Sequence, residues 1–323
     1  MVSIGIDGEA VARAARLLGE GGLVAIPTET VYGLAADATN GQAVARIFEA
    51  KGRPRFNPLI CHVSSVAMAE RFVDIDPLSR RLIDAFWPGP LTLVLPLKEN
   101  APVHPLVTAG LSTLALRMPR GVAAEVIAML DRPLAAPSAN TSGRISATTA
   151  QAVADDLGSK VDLILDGGPC PVGLESTIVK VDGEIISLLR PGGLAAEEIE
   201  ALTGLTLKRS DQRAAIEAPG MLASHYAPRA AMRLDVRELN PGEALLAFGP
   251  SRAKGAENAS HHLNLSEKSD LREAAANLFD YMKRLDATGA AIIAVEPIPH
   301  EGLGEAINDR LSRAAAPRGQ TIR

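Results

Sequence analysis

Four short segments of this 323-residue chain concentrate side chains that could bind a phosphate or a carboxylate. The first, residues 27–33, reads PTETVYG and follows the aliphatic stretch 23–26. Its two hydroxyls, carboxylate and phenol could contact a ligand, and its final glycine would permit a close backbone approach. For a lone Thr-Glu-Thr tripeptide, however, a capped turn is the simpler interpretation.

The second segment, residues 51–58, reads KGRPRFNP and places three cations within five residues, together with two prolines. Prolines restrict the backbone, so the cations are held near one geometry. Lys51 as a point charge and Arg53 as a two-pronged donor would suit a triphosphate. A solvated basic turn explains the same residues equally well.

The third and fourth segments are rich in hydroxyl and amide groups. Residues 136–146 read APSANTSGRIS, a composition that could hold phosphate or carboxylate. The alternative is an ordinary loop in which Ser146 caps the helix predicted near Thr148. Residues 173–177, GLEST, are followed by a predicted hairpin that ends at Arg190, and a single arginine there is usually a surface charge.

These segments lie beside predicted strands, so we expect them to bring polar groups to one rim of a sheet, where α/β proteins bind ligands. The chain has no GxxxxGK[ST] loop, no GxGxxG after a strand, and no HExxH, CxxC or GxSxG motif. If the protein uses ATP, it does so without the common phosphate-binding loops.

The elements that must position these residues follow from hydrophobic periodicity. Helical spacing predicts helices over residues 9–18, 42–51, 121–130, 148–157 and 271–285 and in the C-terminal tail. Aliphatic runs predict strands near residues 23–26, 59–63, 91–95, 114–117, 162–165, 232–236, 244–248 and 290–295. Strands 177–181 and 184–189 flank Asp182-Gly183, a hairpin signal that favours a mixed sheet.

The predicted fold is therefore α/β in two parts. A twisted mixed β-sheet with helices occupies residues 1–205, a linker occupies residues 206–231, and a small three-layer α/β domain occupies residues 232–323. Hydrophobic residues make up 47% of the chain, enough for a full core, and at 3% aromatics the core must be aliphatic.

Charge and cysteine content exclude several protein classes. A net charge of −5 gives no overall attraction to nucleic acid or anionic lipid. The two cysteines, Cys61 and Cys170, support neither a disulfide framework nor a thiolate zinc site. The N-terminus lacks a signal-peptide pattern and no apolar run is long enough for a membrane span, so we expect a cytoplasmic protein with no membrane association.

Seven ordered motifs resemble those of the threonylcarbamoyl-AMP synthase family in its long two-domain form. They are PTETVYGL (27–34), KGRPRFNPL (51–59), FWPGPLT (86–92), LRMP (116–119), APSANTSG (136–143), GLESTIV (173–179) and LRPG (189–192). The run APGMLASHYAP (218–228) resembles the linker of the long form. The resemblance implies a YrdC-like catalytic domain and a nucleotidyltransferase activity.

In this family ATP, L-threonine and bicarbonate give threonylcarbamoyl-AMP and pyrophosphate, for the threonylcarbamoyladenosine modification of tRNA. By resemblance Lys51 and Arg53 are the catalytic cations. The positions that match ATP-binding ones are Lys51, Arg53, Asn57, Thr113, Ser138, Asn140, Ser146, Arg190 and Tyr226. The positions that match threonine-binding ones are Thr30, His62, Arg117, Ala136 and Ser176.

The resemblance also implies a lid, a cation and partners. The linker would fold over the pocket and bring Tyr226 to the nucleotide, although composition alone predicts that His225 and Tyr226 are surface residues. A magnesium ion is expected with ATP, held largely by phosphates and water, because the sequence shows no carboxylate cluster for a metal. Downstream, a tRNA threonylcarbamoyl transferase machinery would receive the product, with possible contact to tRNA.

Two other functions remain open at this point. One is a non-catalytic module that binds double-stranded RNA or tRNA, which an acidic chain with few aromatics disfavours. The other is carbamoyl transfer of the kind found in hydrogenase-maturation proteins, which would need a cysteine-rich zinc segment that this chain lacks.

Overall fold

The computed structural model describes residues 3–209 and 224–317, which form two β-sheets with helices packed against them. In chain order the helices are α1 (Gly8–Gly19), α2 (Gly41–Lys51), α3 (Val66–Ala69), α4 (Pro77–Phe86), α5 (Pro105–Thr108), α6 (Val122–Leu130), α7 (Ala150–Leu157), α8 (Ala196–Thr203), α9 (Leu271–Ala287) and α10 (Leu303–Ala315). The strands of the first sheet are β1 (Ser3–Gly5), β2 (Val24–Ile26), β3 (Gly33–Asp37), β4 (Ile60–His62), β5 (Leu91–Pro96), β6 (Thr113–Arg117), β7 (Leu134–Ala135), β8 (Leu163–Asp166), β9 (Thr177–Asp182), β10 (Ile185–Arg190) and β11 (Lys208–Arg209). Those of the second sheet are β12 (Ala231–Arg233), β13 (Ala244–Ala247), β14 (His262–Asn264) and β15 (Ile292–Val295).

The first sheet has the order β1-β8-β2-β3-β7-β4-β6-β5-β9-β10-β11 and mixes parallel with antiparallel pairs. Strands β4 and β6 are parallel, for example, whereas β5 and β6 are antiparallel. The predicted mixed α/β fold is confirmed. The hairpin β9–β10 is present as well, although Ile185 pairs with Asp182, so the turn is centred one residue later than the sequence predicted.

Side chains along the central strands alternate between two faces of the sheet, one packed in the main core and the other facing a small separate cluster. Cys61, Leu93 and Leu116 belong to the main hydrophobic core of the first domain. Their neighbours Ile60 and Ala115 lie in a small separate apolar cluster, together with Val94, Ile178 and Leu189. Because side chains alternate along a strand, His62 and Arg117 share the face of that small cluster.

Helix α2 shows how local sequence places a functional residue. Its N-cap Asn40 accepts hydrogen bonds from the backbone N–H groups of Gln42 and Ala43. It ends at Gly52, whose φ of 61° is the left-handed conformation that glycine adopts without strain. Lys51 therefore occupies the last turn of the helix, directly before the proline-restricted loop.

Several elements were not predicted from the sequence. Strand β3 begins inside the PTETVYGL motif, and helices α4 and α8 lie in segments for which no element was expected. Helix α7 is capped by Thr149, whose side chain accepts the N–H of Ala152, so the suggestion that Ser146 is the cap is wrong.

The second sheet is fully parallel, in the order β12-β15-β13-β14. Residues of α9 and α10 share one core with Leu246, Ile293 and Val295 on one face of the sheet. The opposite face, with Leu245 and Ala294, packs against the segments that flank β13, from Val236 to Leu239 and from Ala253 to Ala259, the second of which contains the short 3₁₀ helix Ala256–Asn258. The third layer of this domain is thus mainly irregular chain.

The two domains approach each other closely at the GLEST segment. A Cβ atom on Gly173 would lie 2.4 Å from the backbone oxygen of Ala275 in α9, so a larger residue would force the domains apart. The predicted linker, residues 206–231, lies largely outside the described residues, which resume at residue 224. The predicted domain limits stay predictions.

Within residues 3–209 and 224–317, no helix combines the length and the apolar character that a bilayer crossing requires.

Candidate active site

The predicted site residues meet on the face of the first sheet that is turned away from the main core. A cavity of about 50 Å³ opens there. It is lined by Thr28, Val31, Gly33, Arg53, Ile60, His62, Arg117, Ala136, Pro137, Ser138, Glu175, Ser176, Arg190, His225 and Tyr226. Strand register explains part of this convergence, because Arg117 pairs with both His62 and Thr92.

Arg117 is placed to bind a carboxylate. Its guanidinium donates to the hydroxyl of Thr30 at 2.8 Å and to the backbone oxygen of Gly89 at 3.1 Å, and it lies 2.8 Å from a carboxylate oxygen of Glu29. The two hydrogen bonds use two of the five guanidinium donors, and together with the ion pair to Glu29 they hold the group in one orientation. The remaining donors are available to a ligand in the cavity, which is lined by this side chain.

His62 is a neutral partner beside Arg117. Burial, reinforced by the charge of Arg117, lowers its pKa to about 3. Its Nδ1 has no hydrogen-bond partner among the described residues. A buried polar atom that lines a cavity without a partner is a candidate for a ligand contact.

Ser176 and Arg190 stand at the other side of the cavity. Arg190 donates to the backbone oxygen of Ser176 at 2.8 Å, and the Ser176 hydroxyl lies 2.7 Å from that of Thr92. Gly192 permits this packing, because a Cβ there would lie 2.4 Å from the backbone of Glu175. Arg190 is thus buried, whereas a single arginine at a strand end is usually expected at the surface.

Lys51 and Arg53 form the cationic side of the site. Lys51 is buried and donates from Nζ to the backbone oxygen of Ser138 at 2.5 Å and also to that of Asn140. Arg53 donates to the backbone oxygens of Asn57 at 3.3 Å and Pro58 at 2.9 Å, which folds the loop back on itself. Burial and the neighbouring Arg190 lower the pKa of Arg53 to about 10.

Two asparagines near these cations have unsatisfied amide atoms. Asn57 is buried, and both of its side-chain polar atoms lack a partner among the described residues. In Asn140 the Nδ2 donates to the backbone oxygens of Thr141 and Arg144, whereas Oδ1 has no partner within the same described part of the chain. Both match predicted ATP positions, although neither lines the cavity in this conformation.

Ser146 is buried and donates to Oε1 of Glu175 at 2.5 Å. Sequence reasoning assigned no role to Glu175, which lines the cavity, although the GLEST motif contains it. Burial alone would raise its pKa, but Arg310, Arg190 and the Ser146 hydroxyl lower it to about 2, so Glu175 is ionised.

Residues 225 and 226 close the cavity from the side of the second domain. Both His225 and Tyr226 are buried, contrary to what composition predicted. The Tyr226 ring stacks on Phe279 of α9 at 5.5 Å between centroids, and the N–H of Ala227 donates to Gly143 at 2.9 Å. His225 and Tyr226 of the predicted linker thus line the cavity, and their role as a lid stays a prediction.

Thr113 lies at the opposite end of β6 from Arg117. It begins β6, on the same face as Arg117, and four residues at about 3.3 Å each separate the two by about 13 Å. It does not line the cavity. Its nucleotide role stays a prediction.

The described residues offer no protein-built metal site, since no three His, Cys, Asp or Glu residues are grouped there. Glu29 faces Arg117 and Glu175 faces Arg310, so the carboxylates nearest the cavity are already ion-paired. Magnesium delivered with ATP stays a prediction.

Comparison with known proteins identifies the family of this chain. The family model described as "Telomere recombination" matches residues 16–192, and the one described as "Threonylcarbamoyl-AMP synthase, C-terminal domain" matches residues 194–316. The threonylcarbamoyl-AMP synthase of Bacillus subtilis (strain 168) is 40% identical, over 95% of this chain and 93% of its own length. That of Pyrococcus abyssi (strain GE5 / Orsay) is 40% identical over 94% of each chain.

A solved structure extends the similarity to the whole fold. The crystal structure of P. abyssi Sua5 complexed with L-threonine has a TM-score of 0.89 and 38% identity, and the match covers 98% of both chains. Two-domain architecture, ordered motifs and full-length similarity coincide. This chain belongs to the threonylcarbamoyl-AMP synthase family, in its two-domain form.

Proposed function

We propose that this protein joins L-threonine, bicarbonate and ATP into threonylcarbamoyl-AMP and pyrophosphate, for the threonylcarbamoyladenosine modification of tRNA. The observation that carries the proposal is the pairing of two binding halves on one sheet face. Arg117, His62 and Thr30 suit an amino acid, and Lys51, Arg53 and Arg190 suit a polyphosphate. The relatives named above act as synthases of this product.

The chemistry requires positioning and charge neutralisation rather than a protein nucleophile. The amine of threonine and bicarbonate give a carbamate and water. A carbamate oxygen then bonds to the α-phosphorus of ATP while the bond to the β-phosphate oxygen breaks, and pyrophosphate leaves with that electron pair. Cations that are already buried and oriented stabilise the charge that develops on the phosphates.

The cysteines support this assignment. Burial raises the pKa of Cys170 to about 12, and burial raises the pKa of Cys61 further still. Because the thiolate is the reactive form, neither residue is suited to covalent catalysis. The site therefore favours direct attack by a substrate oxygen.

In the threonine half, Arg117 binds the carboxylate of threonine through guanidinium donors that make no hydrogen bond to the described residues of the protein. Thr30 and Ser176 present hydroxyl groups, His62 presents a neutral imidazole, and Ala136 contributes its backbone beside them. In the nucleotide half, Lys51, Arg53 and Arg190 contact the phosphates. Ser138, Asn57 and Asn140 supply neutral hydrogen bonds, and the Nδ2 donor of Asn57 has no partner among the described residues.

Delivery of the product to a tRNA threonylcarbamoyl transferase is part of the proposal, and so are direct contact with tRNA and a cytoplasmic location. A non-catalytic RNA-binding role is not favoured, since a binder of RNA has no use for a buried arginine held by Glu29 and Thr30 inside a cavity.

A pyrophosphate-release assay with each substrate omitted in turn tests the proposal. We expect release only when ATP, threonine and bicarbonate are all present, and the adenylate should appear in equal amount. Tight tRNA binding without pyrophosphate release would overturn the enzyme assignment. Release that needs carbamoyl phosphate but not threonine would point instead to carbamoyl transfer.

Tyr226→Ala should raise wasteful ATP turnover. The cavity, at about 50 Å³, is small for ATP and Tyr226 lines it, so we expect the segment around Tyr226 to move when ATP enters. When it closes again it excludes water, which would otherwise hydrolyse the mixed anhydride. We expect the ratio of pyrophosphate to intact adenylate to rise several-fold.

Tyr226→Phe is the matched control, because it keeps the ring on Phe279 and should keep most of the coupling. Thermal denaturation of both variants will separate loss of closure from loss of packing. An unchanged product ratio in a folded Tyr226→Ala protein would contradict the lid role.

A further inference from the structure

The side chain of Arg310 in α10 extends from the second domain into the site of the first. It is completely buried. Its guanidinium donates to Oε2 of Glu175 at 2.8 Å and to the backbone oxygen of Pro191 at 3.0 Å, and it also donates to Asp309 at 2.6 Å. Two of these partners lie in the first domain, in the GLEST and LRPG segments.

Glu175 transmits this contact to the nucleotide half. One carboxylate oxygen accepts from Arg310 and the other accepts from the hydroxyl of Ser146 at 2.5 Å. Arg310, Glu175 and Ser146 therefore form a continuous chain of hydrogen bonds from α10 to a residue predicted to bind ATP. Glu175 itself lines the cavity, whereas Arg310 does not.

The same guanidinium supports the closing segment. Its central carbon lies 5.0 Å from the ring centroid of Tyr226, which lines the cavity. Tyr226 has a φ of 62°, an uncommon conformation for a residue with a side chain, so contacts around the ring must hold it. One buried arginine thus contacts two residues that line the cavity, Glu175 of the first domain and Tyr226 of the predicted linker.

The charges explain why an arginine serves here. The cavity is bordered by Arg53 and Arg190, with Lys51 close by, and Glu175 is the carboxylate that faces them from the GLEST segment. Without a partner of its own, ionised Glu175 would turn toward those cations and compete with phosphate for them. Arg310 supplies that partner: its Nε donates to Glu175, while its other two nitrogens are held by Pro191 and Asp309.

We propose that Arg310 is a positioning residue for the nucleotide half, acting through Glu175 on Ser146, so that the second domain completes the ATP site. This inference rests on the proposed function for the identity of the ligand. It also assigns the second domain a role in the reaction that the first domain cannot fill alone.

The first test is Arg310→Lys, which keeps the positive charge but loses the planar guanidinium that contacts Glu175, Pro191 and Asp309 together. We expect this variant to bind a non-hydrolysable ATP analogue about tenfold or more weakly, as measured by calorimetry with the full-length protein. That change corresponds to the loss of one charge-assisted hydrogen bond. Threonine binding should change less than threefold, since Arg117 and Thr30 are not in this chain of contacts. In turnover, KM for ATP should rise more than KM for threonine.

Arg233→Lys is the matched control. Arg233 also forms an ion pair with a buried carboxylate, donating to Glu243 within the second domain at 3.0 and 2.5 Å, and it does not line the cavity. If Arg310 is merely structural, both variants will lose thermal stability and bind the ATP analogue as the unmodified protein does. That outcome would overturn the proposal.

A double variant keeps the test valid if a single substitution at Arg310 prevents folding. Arg310→Met combined with Glu175→Gln removes both buried charges together and avoids an unpaired carboxylate. If Arg310 acts through Glu175, the double variant should bind the analogue no more weakly than Glu175→Gln alone. Independent, multiplicative losses would contradict the chain of contacts.

Absence of pyrophosphate release by the unmodified protein would refute the proposed function, while these binding measurements would still decide the role of Arg310.

Discussion

Lys51→Ala and Arg53→Ala should each reduce pyrophosphate release by about 10²–10³-fold, the usual effect of removing one preorganised charge-stabilising donor. Both cations are buried beside the cavity, where a charge acts on the phosphates with little screening by water. Each is also oriented by backbone oxygens, Lys51 by residues 138 and 140 and Arg53 by residues 57 and 58.

The fold should survive both substitutions, which circular dichroism will check. Some loss of stability is expected, about 1–3 kcal/mol, since carbonyl oxygens that accept from these side chains lose their donors. Arg55→Ala is the control, because Arg55 is an exposed cation of the same loop and does not line the cavity. Near-normal turnover in both Lys51→Ala and Arg53→Ala would refute the phosphate assignment.

The affinity for ATP should also depend on pH through Lys51. Burial, with the nearby Arg53, lowers the pKa of Lys51 well below that of an ordinary lysine. Only the protonated amine attracts phosphate, so ATP binding should be strongest below that lowered pKa and weaken as the pH rises through it. Lys51→Arg should move the decline to higher pH, and a titration of ATP affinity against pH will compare the two.

Arg117→Lys should raise the KM for threonine by about 10–100-fold, which corresponds to the loss of one hydrogen bond to a charged group at about 1.5–3 kcal/mol. Lysine keeps the charge beside Glu29 but cannot contact Glu29, Thr30, Gly89 and a carboxylate at the same time. The affinity for ATP should stay nearly unchanged, because the phosphate cations are separate side chains.

Arg117→Ala is a poorer test, since it would leave the carboxylate of Glu29 buried without a counter-charge, at a cost of about 3–5 kcal/mol. Arg132→Lys is the appropriate control. Arg132 forms an ion pair of 2.8 Å with buried Asp37 and does not line the cavity. If Arg117→Lys folds normally and retains the KM for threonine, the carboxylate is bound elsewhere.

The sequence predicted much of the first domain because local signals agreed there. Aliphatic runs marked β4, β5 and β6, and glycine marked the end of α2. It missed β3 because the strand lies inside a motif whose polar residues suggested a loop, and it missed α4 and α8 although their helical segments are regular. It misjudged Arg190, His225 and Tyr226, since polarity alone predicts exposure for all three.

Sequence by itself determined the mixed α/β class, the family and the residue types of both halves of the site, since motif order and strand periodicity are local properties. Only the tertiary structure decided that these residues share one sheet face, because strand register sets which side chains become neighbours. It alone revealed that Arg310 reaches Glu175 across 135 residues of sequence. No local pattern marks such a contact, since it arises where two folded surfaces pack and bury a charge that then requires a partner.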